Sequence, residues 1–366
     1  MTLDLIAFLG GWVAGWWLLW HVPLPPPAAP RDGPRRSVSV IVPARDEAVM
    51  LPHLLSSLRS ELAAADELIV VDDHSSDATP SIARNAGATV LAAPDPPEGW
   101  NPKSWACHTG AGQASGRLLV FLDADTRLAK GGLERLVGAH LASGGLYSVQ
   151  PWHRVRRPVE RLAALFNVVS MMGTGAFAPG RRGRPRTGAF GPCLVTSGRD
   201  YRATGGFASV GRELLDDLSL ARRYRQSGLP VTIHGGRGTV EFRMYPQGFG
   251  QLAEGFTKNF AAAALAVPWW TTALVALWVG ALCAPAVVVG SSPALAAACY
   301  GAAAAQVLVH VRRLGSFGAL TAVLYPLALA AFLAVFARSL AATLIRGRVR
   351  WKGRELATRP RPPRGP

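Results

Sequence analysis

Leu119-Val120-Phe121-Leu122-Asp123-Ala124-Asp125-Thr126 runs from four apolar residues straight into two carboxylates with one residue between them. A buried strand tolerates Asp poorly, which puts the pair at the strand's C-terminal edge, where open α/β sheets hold their ligands. Two carboxylates presented there suit a divalent cation, and a cation in such a cleft commonly carries a diphosphate. Asp-x-Asp also occurs where helices are capped, so its meaning rests on what surrounds it.

Upstream, Glu67-Leu68-Ile69-Val70-Val71-Asp72-Asp73-His74-Ser75-Ser76-Asp77 repeats the plan of β-branched residues ending in carboxylates. A further strand, Ser37-Val38-Ser39-Val40-Ile41-Val42, opens into Pro43-Ala44-Arg45-Asp46-Glu47. Between the two, Leu51, Leu54, Leu55, Leu58 and Leu62 have helical spacing. A second helix over Ala78 to Ala86 leads to Ala88-Thr89-Val90-Leu91. Strand, helix, strand, helix, strand predicts an α/β fold with a Rossmann-like, mostly parallel sheet, whose polar strand ends meet at one crevice.

The 366 residues suffice for one sizeable domain plus membrane segments. Apolar residues make up 49% of the chain but are clustered. Leu5 to Val22 is a Trp-rich apolar run followed by a Pro-rich linker, 23–35. It has no basic leader and is long, so an uncleaved anchor over 1–22 is expected rather than a signal peptide. A globular domain over 36–260 follows, then Val267–Gly290, Pro293–Val311 and Gly318–Ile345, each near the ~20 residues that cross a bilayer. Such segments in succession have no polar face for a soluble core, so 261–345 reads as membrane helices, four in all with the anchor. Residues 346–366 form a basic tail.

Lys and Arg flank these segments so as to place the globular domain in the cytosol of a multi-pass protein. Three full crossings after it would then leave the basic tail outside. Either one segment is re-entrant or interfacial, with the last, interrupted by Pro326, the candidate, or the positive-inside rule is violated here. The net charge of +16 invites nucleic acid, but no stacking-aromatic or zinc-spacing motif accompanies it. An anionic lipid surface accounts for the charge instead. Four cysteines without Cys-x-x-Cys spacing read as reduced thiols.

Val-Pro-Ala-Arg-Asp-Glu (42–47), Val-Val-Asp-Asp-His-Ser-Ser-Asp (70–77), Gly99-Trp100-Asn101-Pro102-Lys103-Ser104-Trp105 and Leu122-Asp123-Ala124-Asp125-Thr126 together resemble family-2 glycosyltransferases, nucleotide-sugar enzymes of the GT-A fold. With Gly191-Pro192-Cys193, Leu215-Asp216-Asp217-Leu218, Glu254 to Asn259 and Trp351-Lys352-Gly353-Arg354, the chain looks most like the membrane-bound carotenoid-acid (diaponeurosporenoate) glycosyltransferase type. The resemblance spans residues 36–354. It implies that Pro43, Arg45, Glu47, Asp72 and Asp73 meet the base and ribose, with Glu47 and Asp73 the stronger polar contacts. Ser75 and Ser76 read as caps of the next helix. Lys103, in a loop over Pro94 to Trp105, is implied to approach the nucleotide or its phosphates; a solvated lysine is the plain alternative.

The same resemblance gives Asp125, with Asp123, to Mg²⁺ or Mn²⁺, and Asp123 also to the ribose or a metal-bound water. Asp216-Asp217 stands where the family carries an acidic catalytic pair, usually Glu-Asp. Asp217 would be the general base of an inverting displacement; acids favoured at a helix N-terminus are the other reading. A carboxylic-acid acceptor, ionised above a pKa of about 4, would leave Asp217 to orient rather than deprotonate. The Gln-x-x-Arg-Trp motif of processive synthases is absent, and Glu254 to Asn259 takes its place. There Lys258 either meets the diphosphate or snorkels at the interface. Arg181 to Arg186 is a solvated loop or an anion clamp. Pro158 to Phe177, with Met171 and Met172, has the spacing of an interfacial amphipathic helix that could line a lipid entrance. The expected activity is transfer of one hexose, glucose from UDP-glucose, to a carotenoid carboxylic acid. Another lipid acceptor such as a polyprenyl phosphate comes second, and a processive glycan synthase third.

Overall fold

The computed structural model describes residues 2–28, 36–180, 188–346, 348–351 and 354–357. Arg181 to Arg186 and the end of the tail thus lie outside the described residues. Helix α1 (Thr2–Leu18) opens the chain. Strand β1 (Val38–Ala44), α2 (Leu51–Leu58), β2 (Glu67–Asp72), α3 (Thr79–Asn85), β3 (Thr89–Ala92), α4 (Pro102–Gln113) and β4 (Leu118–Leu122) then alternate. They are followed by β5 (Thr126–Leu128), α5 (Gly132–Ser143), β6 (Leu146–Gln150), β7 (Trp152–His153), α6 (Ala164–Gly173), β8 (Cys193–Ser197), α7 (Gly198–Ala203), α8 (Asp216–Gln226), β9 (Val231–Gly235) and β10 (Val240–Phe242). The remainder is helical: α9 (Phe249–Ala266), α10 (Trp269–Val288), α11 (Pro293–Leu314), α12 (Ala319–Val323) and α13 (Tyr325–Ala341). The last described segments, 348–351 and 354–357, pair as a small hairpin.

Two compact units result. One comprises Leu24–Trp152 and Thr187–Arg243, the other Met1–Pro23, His153–Arg186 and Met244–Thr358. The first unit carries a seven-stranded sheet in the order β3-β2-β1-β4-β8-β6-β9. Strand β1 runs parallel to β2 and β4, β2 to β3, and β6 to β9. The α/β class read from the strand–helix alternation is thus present, with β8 antiparallel to both neighbours. Chain order reverses between β1 and β4, the switch point at which such sheets open a crevice. Strand β8 matters there: Leu122 faces Cys193, so β8 starts where β4 ends and delivers Gly191-Pro192 to the same edge.

Strand alternation builds the core on both faces. Val38, Val40, Val42 and Ala44 of β1 pack with Leu51, Leu54, Leu55 and Leu58 of α2. Ile41 turns the other way, toward Ala106 and Cys107 of α4. Each such fully buried aliphatic side chain contributes about 1.5–3 kcal/mol, so the strand ends are held on a rigid base.

In the second unit, Trp269–Val288, Pro293–Leu314 and Tyr325–Ile345 are long and apolar enough to cross a membrane, while Leu3–Leu18 is shorter. The expected last span, 318–345, is broken at Leu324 into α12 and α13. Pro326 sits in the first turn of α13, where its missing N–H would have had no partner anyway, so it begins a helix rather than kinking one. Gly11 and Gly15 of α1 lie against α10. A Cβ on Gly11 would come 2.3 Å from the Leu277 carbonyl oxygen, and one on Gly15 2.2 Å from the Trp278 ring. This small-xxx-small spacing lets two helix backbones approach closely. Gln306 of α11 completes the contact, accepting from Trp278 Nε1 at 2.9 Å and donating to the Trp12 carbonyl at 2.6 Å.

The stretch over 158–177 departs from the amphipathic helix expected of it. It folds as a 3-10 turn, Pro158–Ala163, followed by α6. Seven residues of α6 are buried, Met171 and Met172 among them. Phe166 stacks on Phe256 of α9 with ring centres 4.2 Å apart, and Phe260 and Phe332 close around it.

Candidate active site

The carboxyl ends of β1, β2 and β4 are adjacent, because Ala44 pairs with Asp72 and Ile41 with Phe121. At about 4.8 Å between strands, the ends bearing Arg45, Asp72-Asp73 and Asp123 fall within ~10 Å. The β1 and β2 ends form one cluster. The Asp73 N–H donates to the Ala44 carbonyl at 2.8 Å, and Arg45 Nη1 lies 3.6 Å from Asp73 Oδ2. Asp73 is only 7% exposed. His74 bridges outward, its Nδ1 3.3 Å from Asp73 and its Nε2 3.4 Å from Asp95. One oxygen of Asp72 is buried with no hydrogen-bond partner among the described residues.

The backbone at both strand ends is bent to achieve this. Asp46 and His74 have φ of 51° and 57°, a left-handed conformation rare outside glycine. Side chains from the opposite loop hold the bend. Asp46 accepts from the Ser76 N–H at 2.8 Å while Ser75 Oγ accepts from the Asp46 N–H at 3.0 Å. Thr79 Oγ1 likewise accepts from the Glu47 N–H at 2.8 Å. Ser75 and Ser76 therefore brace the two loops together instead of capping α3, whose cap position, Ala78, has no side-chain bond. Pro43, Arg45, Glu47, Asp72 and Asp73 thus share one end of the sheet.

The second cluster surrounds Lys103. Its ammonium lies 2.5 Å from Asp123 Oδ1, and a third of the side chain stays exposed. Lys103 belongs to the first turn of α4, not to a loop. Asn101 caps that helix, accepting the Lys103 N–H at 3.1 Å, and Pro102 occupies the position where no donor is needed. Asn-Pro before Lys103 was the readable sign of this helix start. Burial would lower the lysine's pKa, but the charges of Asp123 and then Asp216 outweigh it and hold the ammonium firmly protonated.

Asp216 and Asp217 open α8. Ser104, next to Lys103, donates to Asp216 Oδ2 at 2.7 Å. Asp217 accepts from the Gly191 N–H at 3.1 Å and the Leu218 N–H at 2.8 Å. The acids bond the N–H groups of the helix's first turn, as acids at a helix N-terminus do, and Ser104 and Gly191 join them to the Lys103 cluster. Burial first, then the negative charge of Asp216, pushes the Asp217 carboxyl up to about 6 against the pull of Lys103. Gly191 stands between the two, since a Cβ there would lie 3.3 Å from Lys103 Nζ and 3.5 Å from Asp217 Oδ2. Ser104 and Gly191 fall within the motifs quoted for the family resemblance, but the sequence assigns neither of them a role; their places beside Lys103 and before Pro192 are the only signal.

Asp125 is half-exposed beyond β4, and its carbonyl accepts the Arg243 N–H at 3.4 Å. No group of three or more His, Cys, Asp or Glu side chains converges as a metal cage among the described residues. A site of one or two carboxylates completed by phosphate oxygens and water is instead what Mg²⁺ uses; of the expected pair, Asp123 is engaged by Lys103 and Asp125 is partly exposed. Lys258 lies on α9 in the other unit and is partly exposed.

The family described as Glycosyl transferase family 2 matches residues 39–168. The 4,4'-diaponeurosporenoate glycosyltransferase of Staphylococcus aureus (strain USA300) is 36% identical over 334 residues, covering 88% of each chain. That of strain MRSA252 is 35% identical over 333 residues. Among solved structures, the mannosyltransferase PcManGT of Pyrobaculum calidifontis in complex with GDP-Man and Mn²⁺ aligns with 93% of this chain and 96% of its own. Its TM-score is 0.54 at 20% identity, a likeness of fold.

Proposed function

This chain belongs to glycosyl transferase family 2, and from that premise we propose that it transfers one hexose, glucose from UDP-glucose, to a carotenoid carboxylic acid at a membrane. The observation that carries the reading is Lys103 set among Asp123, Asp216 and Asp217 at the ends of β4 and α8. One firmly charged ammonium beside a strand-end carboxylate pair suits a diphosphate, whose charge grows as it departs. The partnerless oxygen of Asp72 and the Arg45–Asp73 pair provide polar contacts for a base and ribose one and two strands away. The names of the Staphylococcus aureus relatives supply the acceptor class. The three apolar helices suit an acceptor that stays in lipid.

Asp125 and Asp123 would hold Mg²⁺ or Mn²⁺, which when bound neutralises the diphosphate. The chain's own groups do the remainder. An acceptor carboxylate oxygen attacks the anomeric carbon from the side of α8 as the carbon–oxygen bond to the diphosphate breaks, with inversion. An ionised acid has no proton to lose, so Asp217 positions it. The donor-binding domain faces the cytosol, consistent with basic residues flanking the apolar segments.

The test is labelled UDP-glucose given to membranes containing this chain, supplied in parallel with a carotenoid acid and with a lipid alcohol. Label is expected in an alkali-labile glycosyl ester of the acid. Label confined to the alcohol, to a polyprenyl phosphate or to a polymer would overturn the reading.

A further inference from the structure

At the sheet edge opposite the carboxylate clusters lies a cavity of about 600 Å³. It is lined where β1 and β4 begin and β8 ends, by Arg36, Arg117, Arg199, Arg202, Asp200 and His140 among others. Leu118 pairs with Ser197 at this edge, whereas Asp123 follows the far end of the same strand. Five strand residues at ~3.3 Å each set the two edges about 17 Å apart. The cavity is therefore separate from the proposed donor site.

We propose that this cavity binds an anion carrying a phosphomonoester or diphosphate group. Four arginines against one aspartate leave a surplus of three positive charges around one space, and no ion pair to any of the four occurs among the described residues. Like charges gathered without a counterion repel one another, and a multivalent anion relieves that cost. Guanidinium groups present paired donors that match phosphate oxygens. Gly198 makes room for one of them: a Cβ there would lie 3.2 Å from an Arg202 guanidinium nitrogen.

The independent observation is His140. It is 3% exposed, forms part of the cavity wall, and its Nδ1 has no hydrogen-bond partner among the described residues. A buried polar nitrogen without a partner is destabilising, and a ligand oxygen or ligand-held water that reached it would offset that cost. Burial, with Arg36 beside it, lowers the His140 pKa to about 4 despite Asp200, so the ring is neutral at pH 7 and donates from one nitrogen only.

The full-length chain in neutral detergent with EDTA, which keeps metal from the donor site, is titrated calorimetrically with pyrophosphate, inorganic phosphate and dihexanoyl phosphatidic acid. Saturable binding of at least one probe is expected. It should weaken at least tenfold in Arg36→Ala/Arg199→Ala, both exposed positions whose change leaves the core intact, and be unaltered in Arg84→Ala on α3. Preference for phosphatidic acid would name a lipid headgroup as the source, and preference for pyrophosphate or phosphate a soluble metabolite. Absence of binding by all three probes, or equal binding by the wild type and the double variant, overturns the proposal.

Discussion

Asp217 combines a buried setting, a charged neighbour in Asp216 and two backbone donors, and its carboxyl titrates near pH 6. Below that value it is neutral and donates a hydrogen bond; above it, it repels an anionic acceptor. With a carotenoid acid, itself ionised across the range, kcat/KM should therefore fall as pH rises from 5 to 8. Asp217→Asn keeps a donor but cannot ionise, so its profile should be flat and within about tenfold of wild type at pH 5.5. A hydroxyl acceptor reverses both signs. Activity then rises with pH, and the Asn variant loses about 10²–10⁴-fold, the usual worth of a general base. The pair of profiles, measured on two acceptors, separates positioning from proton abstraction. The carboxylates themselves were legible because Asp is conspicuous at the end of an apolar strand. The Lys103–Asp123 pair was not, since it joins residues whose proximity depends on how α4 packs across β1 and β2.

At the level of elements, the parallel strands and their helices could be read from alternation and spacing, but two devices could not. One is β8: antiparallel pairing leaves no mark in an apolar strand, yet it brings Gly191 beside Asp217. The other is the α1–α10 contact. Gly11 and Gly15 are recognisable as a small-residue pair, while their partners Leu277, Trp278 and Ala281 are set by tertiary packing alone. Gly15→Leu places side-chain atoms where the Trp278 ring already stands. We expect it to cost about 1–3 kcal/mol, as overpacking does, and to part Gln306 from Trp12. Thermal unfolding in detergent should show a lower midpoint for this variant. A Gly10→Leu control should change little, because its nearest neighbour would be 3.9 Å from the new Cβ.

For the molecule as a whole, the sheet-bearing unit is interrupted by a piece of the other one. Residues 153–180 leave the sheet region to pack with α9 and α13, then the chain returns to finish the sheet at β8. A fragment covering 24–243 therefore includes every site residue named on the strands and α8, but strips Phe166, Met171 and Met172 of their neighbours. Its exposed apolar surface predicts aggregation on size-exclusion chromatography without detergent. A monodisperse, soluble fragment would contradict this account of 153–180. The same interleaving carries a cost in time. Trp278 is made 263 residues after Gly15, about ten to fifty seconds later at 5–20 residues per second. For that interval the nascent amino-terminal segment must be sheltered by lipid or by the insertion machinery, because the surface it will finally grip has yet to leave the ribosome.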